Sequence, residues 1–370
     1  MPKKRLNKEN ERHLEKEFKN APERSQNRET DWRSDEVTKT PALNDIVYLS
    51  GGTVPQFGED YDVQDPVTER QYYDQLGAFR RAWHCGRSLS IGDSFDVTLP
   101  TVAKPQGGRK LPSFAHNGGD YKLVITEVLQ PFMETEPHWS IVCTADVRTR
   151  VSNEIRGTVV LKIFQASLLP LESRSPFSLA LSPKQLAGCE NYAYNELKDL
   201  QGTVIPYYYG KHKLPMKNGE VARVLVFEHI HGTSLEGWID SFPEHSNADA
   251  PRNNLPFYNT MLIQAKAVTK LALHGITEIN KRGILHGDIS VQNMLITPTA
   301  DNPTHVVFID FARCNIKLTE SKLKELGHDE PKDVMTFLTL CCMDHYEDLV
   351  EWAEVKGSLG GDLVYPGVFT

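Results

Sequence analysis

ILHGDISVQNMLI occupies residues 284–296, and VVFIDFAR follows at 306–313 after a short polar connection. Both stretches are apolar and strand-like, with Asp288 and Asn293 placed in the first and Asp310 closing the apolar run 306–309 in the second. Two such strands lying side by side bring two carboxylates and a carboxamide to one place. That is the donor set of a phosphoryl-transfer centre, where hard oxygen ligands hold a divalent metal and a further group orients the attacking hydroxyl. Asp310 reads as an ionised metal ligand, Asn293 as a neutral oxygen for the same or a second Mg²⁺, and Asp288 as the acceptor of the hydroxyl proton. The plain alternative is a pair of turn carboxylates. H-x-D-x-x-x-x-N-x-L-I followed by an I-D-F segment weighs against it.

These segments resemble the catalytic loop and metal-binding segment of the protein-kinase-like superfamily. They are most similar to its aminoglycoside and choline phosphotransferase-like and RIO-type branches, in which HGD replaces HRD. TVVLKIF at 158–164 resembles the small-lobe strand whose lysine, here Lys162, holds the α- and β-phosphates. SPKQLAGCENYAYNEL at 182–197 resembles the helix whose glutamate pairs with that lysine; Glu190 is preferred over Glu196 from the surrounding pattern. RVLVFEHIHGTSL at 223–235 resembles the strand and hinge that bind adenine through backbone groups of Glu228 and Ile230. The resemblance spans about 120 to 345 and implies an α+β, bilobal protein-kinase-like fold with an antiparallel-sheet small lobe (121–230) and a minimal helical large lobe (231–370). It also implies ATP and Mg²⁺ as cofactors and a protein or small-molecule hydroxyl as acceptor.

The residues carry their own physical case. A cation at 162, flanked by β-branched and apolar neighbours, needs a partner if buried. Ser182, Pro183 and Gln185 supply start signals for the helix that follows. Leu186, Cys189, Ala193, Leu197 and Leu200 form its apolar stripe, with Glu190 at one edge and Glu196 at the other. His286 reads as a brace hydrogen-bonded to backbone, since the neighbouring carboxylate is better placed for the proton.

Several features depart from the resemblance. The hairpin from 121 to 147 contains no glycine, so its backbone cannot approach phosphates as a Gly-rich loop does. Ala312 stands where glycine follows the I-D-F segment, and Gly287 stands where regulated kinases carry the arginine that receives a phosphorylated loop. No A-P-E signature follows. KDVMTFLTL at 332–340 reads as a buried helix with Asp333 bonding back to the catalytic loop, or as an amphipathic surface helix. The glycine-free hairpin supports an alternative, a pseudokinase scaffold with weak or no phosphoryl transfer.

The 370 residues suffice for two lobes plus additional segments, and a net charge of -8 disfavours a dedicated nucleic-acid binder. Residues 1–44 are densely charged and poor in large apolar side chains, the signature of disorder. Residues 45–120 read as an extension packed on the small lobe. Within it, 70–83 form a helix with Tyr73, Leu76, Phe79, Arg80 and Trp83 near one face. Residues 240–256 read as a loop, and 257–280 as a helix ended by Gly283, in which Gly275 permits close packing. The six cysteines, at 85, 143, 189, 314, 341 and 342, lack C-x-x-C spacing. Cys143 and Cys189 read as reduced core thiols. No signal-like or membrane-length apolar run occurs, so a cytoplasmic or nuclear location is expected.

Overall fold

The computed structural model describes residues 66–132, 139–168, 183–240, 255–298 and 303–316. The charged tail, most of the 240–256 connection, Ser182 and the 332–340 segment lie outside them. Alternating burial is what shapes the first strand, β1 (Ser94–Leu99): Phe95, Val97 and Leu99 point inward while Asp96 and Thr98 face out. It pairs antiparallel with β2 (Gly119–Gln130), so the sheet begins inside the stretch 45–120 rather than at 121.

β3 (Ile141–Thr149), β4 (Ile155–Phe164), β5 (Tyr208–Pro215) and β6 (Val221–Glu228) complete an antiparallel sheet of order β1-β2-β3-β4-β6-β5. β2 and β3 form the glycine-poor hairpin, with bulges between Ile125 and Glu127 and between Val128 and Gln130; its tip, 133–138, lies outside the described residues. β6 is buried from Ala222 to Glu228 because both its faces are covered, which gives a continuous apolar run instead of alternation. One core, including Phe95, Leu123, Leu161, Ile163 and Tyr209, lies on one side of the sheet. A second, including Phe164, Tyr194, Phe227, Phe308 and Phe311, lies on the other and joins the helices.

Three helices matter for the site. α1 (Pro66–Ala82) takes in the expected helix up to Ala82 and starts earlier, at a proline suited to a first helical position, while Trp83 opens a π-helical turn. In its C-terminal half Arg80 Nε donates to Ser167 O at 2.6 Å, and Leu76 is buried. Tyr73, expected on the packed face, is exposed and meets the Tyr72 ring edge-on. α2 (Ser113–Asn117) is a single turn that buries Phe114. α3 (Pro183–Glu196) buries Leu186, Ala187, Glu190, Ala193 and Tyr194.

After β6 the chain forms β7 (Thr233–Ser234) and α4 (Leu235–Asp240), and later α5 (Leu255–Asn280), β8 (Met294–Pro298) and β9 (Pro303–Phe308). β7, β8 and β9 make a small antiparallel sheet, with Met294 opposite Phe308. α5 buries Ala265, Val268, Ala272, Leu273, Ile276 and Ile279, the three-and-four spacing of one helix face. A Cβ at Gly275 would stand 2.7 Å from the Phe308 ring, so the missing side chain is what lets α5 lie against β9. Gly283, at φ 72°, ends the helix region in the left-handed conformation. The fold is α+β. No helix among the described residues is long and apolar enough to cross a membrane.

Candidate active site

Strand alternation decides where Lys162 goes. Leu161 and Ile163 enter the core on one side of the sheet, so Lys162 shares the opposite face with Val160 and Phe164. There its side chain is only 7% exposed, and its Nζ lies 2.8 Å from Glu190 Oε2 and 2.6 Å from Asp310 Oδ1. Glu190 comes from α3 and is 1% exposed; Glu196, on the other edge of the stripe, is exposed. The second Glu190 oxygen accepts the Phe311 N–H at 3.2 Å, so one carboxylate ties the helix to both the lysine and the segment following Asp310.

Charge in this triad is unevenly shared. Burial opposes the Lys162 ammonium, but the Asp310 and Glu190 carboxylates outweigh it and raise its pKa. Burial pushes the Glu190 carboxyl up to about 7 despite the neighbouring lysine. Asp310 is also opposed by burial, yet Lys162 holds it below its usual range; 37% of its side chain remains open to solvent. A single ammonium faces two carboxylates, and the more deeply enclosed one takes up a proton first.

Asp310 stands at φ 67°, a left-handed conformation uncommon outside glycine and more accessible to Asp than to most residues. The neighbouring Phe311 is fully buried, with its ring 5.4 Å from Tyr194 and 4.4 Å from His286. That wedge holds the segment in place. His286 Nε2 lies 2.9 Å from Ile309 O, and burial lowers its pKa, so a neutral ring donates to the backbone as expected of a brace. Gly287, at φ 75°, has no room for a side chain: a Cβ there would sit 2.7 Å from Arg313 O. The absence of arginine at this position is therefore a packing requirement of the loop.

Asp288 is half-buried. The loop it occupies is stapled through backbone groups: Asn293 Nδ2 donates to Asp288 O at 2.9 Å, Asn293 N to Ser290 O at 3.1 Å, and Ile309 N to Asn293 O at 3.0 Å. With its amide nitrogen committed, the Asn293 carboxamide oxygen is the atom of that side chain that could hold a metal. One carboxylate oxygen set, at Asp310, and one carboxamide oxygen, at Asn293, suit a Mg²⁺ that takes its remaining ligands from phosphates and water.

The sheet register sets β6 beside the strand that carries Lys162. Lys162 pairs with Leu225, so β6 carries the chain to Glu228 alongside β4. The Glu228 N–H is committed to Tyr207 O at 2.9 Å, and its carboxylate is bound by Arg109 at 2.8 Å. Ile230 lies just beyond, where the chain runs toward β7 and the 284–296 segment. Sequence reasoning had no signal for Arg109, or for the contact between Cys189 and Cys314, whose sulfurs are 3.5 Å apart.

Residues 261–328 match the family model of the lipopolysaccharide kinase (Kdo/WaaP) family. That family belongs to the protein-kinase-like superfamily. The match takes in Asp288, Asn293 and Asp310, whereas Lys162 and Glu190 lie outside it and join the site only through the fold. No curated protein matches the chain closely enough to count as a relative.

Proposed function

We propose that this chain is an ATP- and Mg²⁺-dependent phosphotransferase of protein-kinase-like, bilobal build, acting on a hydroxyl of a sugar-containing acceptor. The observation that carries the reading is the convergence of Lys162, Glu190 and Asp310 within 2.8 Å contacts, beside the loop holding Asp288 and Asn293. A cation on a sheet strand, oriented by a helix carboxylate and facing a metal-type carboxylate, is suited to gripping a polyphosphate. In this reading Lys162 binds the α- and β-phosphates, Glu190 orients Lys162, and backbone groups of Glu228 and Ile230 face adenine. Asp310 and Asn293 would hold Mg²⁺, which neutralises phosphate charge when bound. Asp288 orients the acceptor hydroxyl and receives its proton.

The sugar acceptor is favoured by the family match over residues 261–328, whose name refers to lipopolysaccharide. The test is transfer from γ-labelled ATP to a panel of sugars, glycolipids and peptides, with Mg²⁺ or with EDTA. Label is expected on sugar hydroxyls and only with Mg²⁺; label confined to peptides would refute the acceptor class. A pseudokinase scaffold is the second reading. It is favoured by the hairpin from 121 to 147, which offers no glycine for close backbone approach to phosphates. Under that reading ATP raises the melting temperature weakly or not at all, and no label is transferred to any acceptor.

A further inference from the structure

Cys143 and Cys189 read alike in sequence, but the fold treats them differently. Cys143 is buried in the sheet core, where burial pushes its thiol up to about 12. Cys189 is half-buried on α3, adjacent to Glu190, and its sulfur lies 3.5 Å from that of Cys314, four residues beyond Asp310. The Cys189 thiol also reaches Cys314 O at 3.2 Å, and both cysteines are free. A hydrogen bond with the Cys314 thiol lowers the Cys189 pKa, while Cys314 itself is raised. The pair thus combines a half-buried cysteine with a buried one, their sulfurs in van der Waals contact.

We propose that Cys189 and Cys314 form a thiol–disulfide exchange site for small-molecule disulfides of the glutathione class. The Cys189 sulfur attacks one sulfur of oxidised glutathione, forming a mixed disulfide and releasing one glutathione thiol. Cys314 attacks the Cys189 sulfur and displaces the second glutathione, whose departing sulfur takes up the proton that Cys314 gives up. Two protein thiols are oxidised to one disulfide while one glutathione disulfide is reduced to two thiols. Joining them brings the sulfurs from 3.5 Å to about 2.0 Å, the length of a disulfide bond.

The full chain is treated with oxidised glutathione, alkylated, digested and mapped by mass spectrometry. The expected product is a Cys189–Cys314 cross-linked peptide, reversed by dithiothreitol and absent from Cys189→Ser and Cys314→Ser. Glutathione adducts confined to the exposed Cys85, or a cross-link that forms only after denaturation, would overturn the proposal. The wild-type map is decisive even where a serine variant does not fold.

Arg109 carries a separate inference, which rests on the proposed nucleotide site. Its guanidinium grips both Glu228 oxygens, Nε at 3.0 Å and Nη2 at 2.8 Å, and donates to Thr203 O at 2.7 Å and Ile205 O at 2.9 Å. Val204 O, between those carbonyls, accepts the Phe308 N–H at 2.8 Å, two residues before Asp310. Arginine's planar fork makes all these bonds at once; lysine cannot. The geometry points to Arg109 as a positioning residue that fixes the spacing between the adenine end and the metal end of the site.

A ligand spanning both ends should feel its loss, and one touching a single end should not. Equilibrium binding of Mg·ATP and of adenosine is measured for wild type, Arg109→Lys and Arg109→Gln. Both variants are expected to weaken Mg·ATP at least tenfold and adenosine less than twofold. Equal weakening of both ligands, or of neither, would overturn the role of Arg109 while leaving the nucleotide site intact. Absence of nucleotide binding in the wild type would instead remove the functional reading, and this inference with it.

Discussion

Exchanging Lys162 for methionine is expected to destabilise the fold by about 3 kcal/mol at pH 8 and by distinctly less at pH 6. The reason is the enclosure of its partner: Glu190 is 1% exposed, and without the ammonium its carboxylate keeps the Phe311 N–H but loses its cation. Burial already raises the Glu190 carboxyl to about 7, and removing the cation raises it further. A carboxyl whose folded pKa lies above its unfolded value binds more protons when folded across the intervening window. Stability from this group therefore falls as pH rises from its ordinary value toward the raised one. At pH 6 the variant meets the demand by protonating Glu190; at pH 8 protonation is more costly. Urea denaturation at the two pH values measures this. A Lys162→Met, Glu190→Gln double variant should recover most of the loss, because an amide imposes no buried charge. Equal destabilisation at both pH values would show that Glu190 does not set the cost.

Asp288→Asn is expected to reduce the rate of phosphoryl transfer by about 10³-fold while leaving Mg·ATP affinity within about twofold, given the proposed role of this carboxylate as proton acceptor. The loop should survive the change, since its staples are backbone bonds: the Asn293 amide holds the Asp288 carbonyl, and Ile309 N–H holds the Asn293 carbonyl. The amide has nearly the shape of the carboxylate but cannot accept the hydroxyl proton. Rates are read with the best acceptor from the labelled-ATP panel, and affinity by equilibrium binding. A variant that transfers as fast as wild type would remove Asp288 from the chemistry. One that loses ATP affinity in parallel would move it to nucleotide binding.

The two residues differ in how visible they were. Asp288, Asn293 and Asp310 lie within one stretch, and the antiparallel pairing of β8 and β9 brings their ends together over a short connection. Local pattern is enough to imply such a meeting. The helix with Gly275 was visible for a related reason, since its apolar spacing names the buried face and a glycine within that face marks close approach. Tyr73 shows where this reasoning stops: it shares the helical spacing of its buried neighbour Leu76 but is exposed, because periodicity names a face and not how far along the helix the packing extends.

Amino-acid order alone determined the strand alternation, the helix stripes and the grouping of polar residues at 288, 293 and 310, since each depends on backbone periodicity over a few residues. Tertiary structure decided which distant groups meet: Lys162 with Asp310 across 148 positions, Arg109 with Glu228 across 119, and Cys189 with Cys314 across 125. It also decided that Glu190 rather than Glu196 faces the lysine. Periodicity states which face of an element is buried, whereas the partner on the far side depends on how whole sheets and helices pack, and that packing is not encoded in any local run of residues.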